Sequence, residues 1–322
     1  MLTRLHLPAI LTVALIASLP FAHAATVVQT ANNAGGQYGY SSDVNWSPAG
    51  APGAGNDYVN SSYTLRTQGG VFAGDSLTVG NGSASTASLL YKGNYSGTVT
   101  VNNLIMNRGT FISGTDSGSG NVSLDGNISI QSGGMYLSAN SNAGSLRTIT
   151  VLSTLAGSGP LVAVNGETGQ RGVVYLNGML NNYTGGTLIG NSTISTTANQ
   201  VMLSVGAGSH LGNGGTVQVR ANGALTLNSA SNMDWTQIMT LDSMLAGLGL
   251  INLNYTGTSL LSGLSFDGGS TFVDPGVYDA THSLYGGFFT GGGSITVAPE
   301  PSRFLLLSSG AFALLLRRRR RA

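Results

Sequence analysis

Along most of the chain, apolar residues alternate with small polar ones in short runs. Ser76-Leu77-Thr78-Val79, Gly97-Thr98-Val99-Thr100-Val101, Asn121-Val122-Ser123-Leu124 and Asn127-Ile128-Ser129-Ile130 show it early. Thr148-Ile149-Thr150-Val151, Thr216-Val217-Gln218-Val219, Ala224-Leu225-Thr226-Leu227 and Ser294-Ile295-Thr296-Val297 continue it. Period two is the signature of a strand with one buried face. The breaks between runs are rich in Gly-Asn and Gly-Gly, residues tolerant of positive φ. Between residues 25 and 298 no capped segment of helical period interrupts the pattern. Even 239–250 reads as two strands around a glycine turn, because Gly247 and Gly249 fall inside it.

The runs also repeat. Leu155-Ala156-Gly157-Ser158-Gly159-Pro160-Leu161 has an echo in Leu245-Ala246-Gly247-Leu248-Gly249-Leu250-Ile251 and a looser one in Leu211-Gly212-Asn213-Gly214-Gly215-Thr216-Val217. An apolar residue, a glycine turn and a strand, recurring, predict a coil whose successive turns bury their inner faces on one another. The expected fold is therefore all-β: a single-stranded parallel β-helix, or β-solenoid. At ~20–25 residues per turn, residues 25–298 would hold roughly 11–13 turns, with Asn, Ser and Thr side chains stacked between them. An open coil needs covered ends. Residues 25–65, with Trp46 and two prolines, are the expected N-terminal cap; 274–278 and 286–293 are expected to close the other end.

Composition agrees with a coil and narrows the chemistry. Of 322 residues, 49 are glycine, none is cysteine and 41% are apolar. The apolar share argues against a disordered chain, and the missing cysteines exclude disulfides, thiolate metal centres and cysteine nucleophiles. The formal charge of +1 averages segments of different character. Residues 25–298 carry six basic residues (Arg66, Lys92, Arg108, Arg147, Arg171, Arg220) against eleven acidic ones, a net −5. Nucleic acid is not an expected partner, since binding it requires a basic stripe facing the phosphates.

Both ends read as addresses. Arg4 precedes an apolar run, 7–19, and Ala22-His23-Ala24 supplies a small-x-small pattern. This predicts a secretory signal helix over 1–24, cut by signal peptidase after Ala24. At the other end, Pro299-Glu300-Pro301-Ser302-Arg303 leads into the apolar stretch 304–316, then Arg317, Arg318, Arg319, Arg320 and Arg321. A helix of that length spans about 20 Å, short of the ~30 Å hydrocarbon core. The arginine run is a stop signal holding its end on the cytoplasmic side. Transient inner-membrane insertion through 304–316 fits such a segment better than a lasting anchor.

The tail resembles the PEP-CTERM sorting signal of Gram-negative bacteria, in the form common in Verrucomicrobia. Pro299, Glu300 and Pro301 match the motif, 304–316 the hydrophobic helix, and Arg317 to Arg321 the basic end. The resemblance implies recognition by an exosortase, a membrane protease, followed by release or transfer to the cell surface or exopolysaccharide matrix. Ala298 departs from the Val or Ile that often precedes the motif. A second likeness lies inside the body. Val174-Tyr175-Leu176-Asn177-Gly178-Met179-Leu180-Asn181-Asn182-Tyr183-Thr184-Gly185-Gly186-Thr187-Leu188-Ile189 resembles the autotransporter-associated β-strand repeat, clearest over 174–228. That resemblance implies a right-handed coil, as in autotransporter passengers. It departs from them in having no room after residue 230 for an outer-membrane barrel.

Candidate chemistry is sparse. His210 and His282 lack acidic neighbours at ligand spacing, and Asp116-Ser117-Gly118-Ser119-Gly120-Asn121 lacks the closing Glu of a calcium loop, so no metal and no cofactor is expected. Glycoside hydrolysis needs paired carboxylates, yet Glu167 is the only glutamate between 25 and 298. Asp234 and Asp242 flank Trp235; Asp267, Asp274 and Asp279 cluster loosely near the expected end cap; Arg171 and Arg220 have no evident acidic partner. No catalytic residue is expected. Tyr38, Tyr40, Trp46, Tyr58 and Tyr63 concentrate early in the body, as candidate glycan contacts or as packing. The leading expectation is an exported, non-enzymatic structural protein of the surface or matrix. The alternatives are a carbohydrate-binding adhesin using those rings and a polysaccharide lyase or hydrolase built on a β-helix.

Overall fold

The computed structural model describes residues 24–83, 86–93, 96–114, 121–139, 146–164, 172–190, 201–242 and 250–298. These residues are all-β, with helical turns only in short 3₁₀ segments such as Ala230–Asn232 and Gly286–Phe288. The chain winds as a parallel β-solenoid with three sides. The first side stacks the leading half of Gly97–Met106, the leading half of Val122–Ile130, then Arg147–Val151, Gly172–Leu176, Val201–Val205, Gly223–Leu227, Ile251–Leu253 and Phe289–Gly291. The pairings from Gly97–Met106 to Ile251–Leu253 mark about six regular turns. The third side is one nine-stranded parallel sheet running from Thr64–Thr67 to Gly263–Ser265.

The second side is carried by Asn56–Asn60, Ser76–Val79, the trailing halves of the two long strands, and Leu155–Gly157. Each long strand thus serves two sides. In Val122–Ile130, Val122 and Leu124 pair with Ile149 and Val151, whereas Ile128 pairs with Leu155. The corner falls at Gly126, where the register shifts. Its φ is 116°, and a Cβ there would lie 1.8 Å from the Val101 carbonyl oxygen of the turn beneath. Only glycine suits both the angle and the approach.

Alternation places one residue in two inside. Val99, Leu124, Val151, Leu176, Val205, Leu227 and Leu253 form an in-register column on the first side, every one fully buried. Leu65, Leu89, Phe111, Leu137, Ala163, Ile189, Val219 and Leu241 do the same on the third. Burial of each Val or Leu contributes about 1.5–3 kcal/mol, so the columns dominate stability. Turn length varies more than a fixed repeat allows. Ser88 pairs with Thr110, about 22 residues on, but Thr187 pairs with Val217, about 30 on. The longer loops between strands explain why the third side holds nine strands and the coil fewer than the 11–13 turns expected.

Among the described residues between 181 and 234 the second side has no strand, and buried amides take over. Leu155 N–H donates to Asn181 Oδ1 (2.8 Å), while Asn181 Nδ2 donates to Ser209 Oγ (3.0 Å) and the His210 carbonyl (2.8 Å). Asn232 does the same one turn later. Its Nδ2 reaches the Gly206 and Ser209 carbonyls (2.8 and 2.7 Å), and its Oδ1 accepts from Asn228 and Ser229 N–H (2.8 and 2.7 Å). Thr258–Leu261 and Ser294–Val297 then resume the side in parallel.

The Asn181-to-Thr187 stretch, the heart of the repeat-like segment, has a physical logic. Asn181 joins three turns, Tyr183 fills the core with its hydroxyl against Thr187 Oγ1 (2.6 Å), and Gly186 turns the corner at φ 82°. One expected equivalence does not hold. Leu161 and Val217 both lie on the third side, but Ile251 lies on the first; residues 243–249 are outside the described set.

Both ends are covered by antiparallel additions. Trp46–Ser47 pairs against Ala25–Gln29, and Gly276–Tyr278 pairs against Ser294–Val297. Leu176→Ala should cost about 2–5 kcal/mol and Asn232→Ala about 1–3 kcal/mol through its orphaned backbone partners. Thr150→Ala, on the outer face, should stay within about 0.5 kcal/mol. Urea unfolding followed by circular dichroism measures all three, and an Asn232→Ala midpoint equal to wild type would contradict the bridging role.

Candidate functional site

The outer face of the second side is concave where three strands lie in register. Ile105, Ser129 and Ala156 are aligned across adjacent turns. Asn103, Asn127 and Thr154 stand at the edge towards the first side, and Gln131 stands towards the third. With the flanks of Leu104 and Ile128 they enclose a trough of about 510 Å³, within the usual range for ligand-sized depressions. No ionisable side chain lines it. Its floor is small and apolar; its rims are amides and hydroxyls. Such a surface can hold a neutral ligand, but it offers no acid, base or nucleophile pair for catalysis.

The N-terminal aromatics take a different place from the glycan-contact reading. Trp46 packs edge-on against Tyr58 (5.0 Å, 77°), Tyr58 against Phe72 (5.2 Å, 88°) and Tyr40 against Phe72 (5.1 Å). Trp46 Nε1 donates to the Gly39 carbonyl (2.6 Å), and the Tyr40 hydroxyl donates to the Thr100 carbonyl (2.7 Å). Burial pushes the Tyr40 phenol well above its ordinary pKa. Tyr40, Trp46 and Tyr58 are 1%, 4% and 2% exposed, so none offers a ring face to a sugar. For these three the glycan-contact expectation is corrected: the end of the coil needs an apolar plug, and they supply it. Tyr38 and Tyr63 are half-buried beside them. Among the described residues the aromatic rings that do stand exposed are Trp235 and Phe272, a distribution that periodicity alone does not reveal.

Asp234, Asp267 and Asp279 each serve a local turn. Asp267 accepts from Thr271 Oγ1 (2.6 Å), Thr271 N–H (2.9 Å) and Ser265 Oγ (2.7 Å), and these bonds, Thr271's first, bring its carboxyl down to about 2. Asp279 is lowered by the hydroxyl and N–H of Thr281 in the same way. Asp234 accepts from both polar groups of Thr236 (2.8 Å each). His282 Nδ1 accepts from Leu284 and Tyr285 N–H (3.3 and 3.2 Å), with its ring stacked on Tyr278 at 4.8 Å. Among the described residues no three His, Asp or Glu side chains converge on a metal-sized point.

Of the address residues, Ala22, Pro299, Glu300, Pro301, Ser302, Arg317, Arg318, Arg319, Arg320 and Arg321 lie outside the described residues, as do Arg171 and the Asp116 loop. Ala24 is the first described residue and Ala25 opens the first strand. No described helix is long and apolar enough to cross a membrane. No family model, curated protein or solved structure matches the chain.

The depressed Asp267 gives a pH prediction with a definite sign. A folded pKa of about 2 against ~3.9 unfolded contributes stability that is complete above about pH 4. That contribution is lost as pH falls from about 4 towards 2. Thr271→Val should raise the Asp267 carboxyl towards ~3.9, read by carbon-13 NMR titration of that side chain; an unmoved titration would contradict the turn as its cause.

Proposed function

We propose that this protein is an exported, non-enzymatic structural protein of the cell surface or extracellular matrix of a Gram-negative bacterium. It is sorted through its Pro-Glu-Pro tail and cut there by an exosortase. The observation that carries the proposal is where the coil sits between the two address segments. Its first strand opens at Ala25, directly after the bond assigned to signal peptidase, and its last ends at Val297, two residues before Pro299. Each processing event would therefore leave the coil whole. The segment 304–316 serves as a transient inner-membrane handle, with Arg317 to Arg321 holding its end inside.

The mechanism is mechanical. Strand stacked on strand makes a stiff body, and outward residues such as Thr98, Ser123, Thr150 and Thr226 give it a hydroxyl-rich, charge-poor side. Such a side meets hydrated matrix through many weak contacts. The coil is taken as right-handed, as in autotransporter passengers. The turn-bound state of Asp267 and Asp279 favours a non-catalytic body over a lyase or hydrolase, because a general acid needs a raised pKa rather than a lowered one.

Intact-mass measurement of the protein from its native host tests this. The expected species lacks residues 1–24 and the arginine-rich tail. A retained tail would replace sorting with plain anchoring, and a retained leader would remove export.

A further inference from the structure

The trough on the second side is built more specifically than a rod requires. Asn127 and Asn103 are register partners on adjacent turns. The Asn127 carboxamide makes no hydrogen bond with the described residues and stands exposed at the rim. Asn103 donates through Nδ2 to the Asp75 carbonyl (2.8 Å), leaving Oδ1 to face outward partners. Across the floor, Gln131 Nε2 donates to Ser129 Oγ (3.0 Å), which fixes the side chain and leaves Oε1 open. Amide acceptors thus border the depression on both sides, with a free amide donor at Asn127 and apolar Ile105 and Ala156 between them.

The next turn extends it. Thr154 Oγ1 donates to the Met179 carbonyl, joining that rim to Met179 and Leu180, which are 66% and 67% exposed. Leu180 is held at φ 56°, a conformation a branched side chain rarely adopts without a reason in its surroundings.

The geometry points to a binding site for a neutral saccharide chain in this trough. Vicinal sugar hydroxyls present a donor and an acceptor side by side, as a carboxamide does, and the C–H face of a pyranose covers small apolar floor. Three strands at ~4.8 Å spacing span about 10 Å, room for about two sugar rings. An anionic chain finds no cation here, since no ionisable group lines the trough. A peptide finds no open ladder either: the trailing half of Val122–Ile130 lies between Gly97–Met106 and Leu155–Gly157, and the outer edge of Leu155–Gly157 is taken up by Asn181 Oδ1 and by the N–H groups of Asn182 and Thr184. The site rests on the reading of the chain as a matrix-facing protein and names what it would hold there.

Affinity electrophoresis of the full chain in a polyoxyethylene detergent tests it. Native gels would carry a β-1,4-glucan, an α-1,6-glucan, a galactomannan or, as the anionic control, alginate. At least one neutral polymer should retard the chain and alginate should not. The double variant Asn127→Ala/Gln131→Ala should weaken that retardation at least ten-fold, and the isosteric Asn127→Asp should also weaken it. Gln218→Ala, on the outer face of the third side, should leave it unchanged. Circular dichroism confirms that each variant keeps its β-signal. Absence of retardation by every neutral polymer, equal retardation of the double variant, or stronger retardation by alginate would each overturn the site. Because the gel reads purified chain and the mass measurement reads processing, failure of one leaves the other standing.

Discussion

Each turn of this coil must lie within hydrogen-bonding distance of the turn before it, along its whole circuit. That spacing of ~4.8 Å between strands constrains everything else. Inward residues become columns, because in-register pairing sets Leu124 on Val99 and Leu176 on Val151. Corners must be thin, because a side chain at Gly126 would strike the backbone of the turn beneath. Backbone polar groups find partners in the neighbouring turns, so a stretch without strands needs substitutes.

The second side shows both consequences. From Asn56–Asn60 to Leu155–Gly157 ordinary strands stack, and their small outward residues leave a depression bordered by amides. Among the described residues between 181 and 234 the side has no strand, and Asn181 and Asn232 carry the connection from inside the core. The same residue type therefore performs two tasks on one side: buried asparagine replaces the ladder, exposed asparagine lines a surface. Burial separates them, since an unpaired amide inside is costly while one at a rim stays solvated or binds.

Charge follows the same division. Two carboxylates sit in turns that favour their ionised state, Asp267 with Thr271 and Ser265 and Asp279 with Thr281. A body with this surface is suited to hold and to space, in keeping with the proposed export to a hydrated polymer matrix.

The strand pattern was legible from residues alone because alternation and glycine breaks are local necessities of a stacked coil. All of the runs first picked out, from 76–79 to 294–297, lie in strands. What sequence could not decide was which aromatic rings are spent on packing. Trp46 and Tyr58 suit either a ligand or packing until the end of the coil closes over them, whereas Trp235, flanked by Asp234 and Asp242, is seen to stand exposed only in the fold. Nor does spacing say which side the strand after a glycine turn joins: Leu161 and Val217 lie on the third, Ile251 on the first. The trough was invisible for the same reason: Asn103, Asn127, Gln131 and Thr154 are neighbours only because successive turns bring them into register. Local chemistry determined that this chain stacks; the register between turns decided what its surface presents.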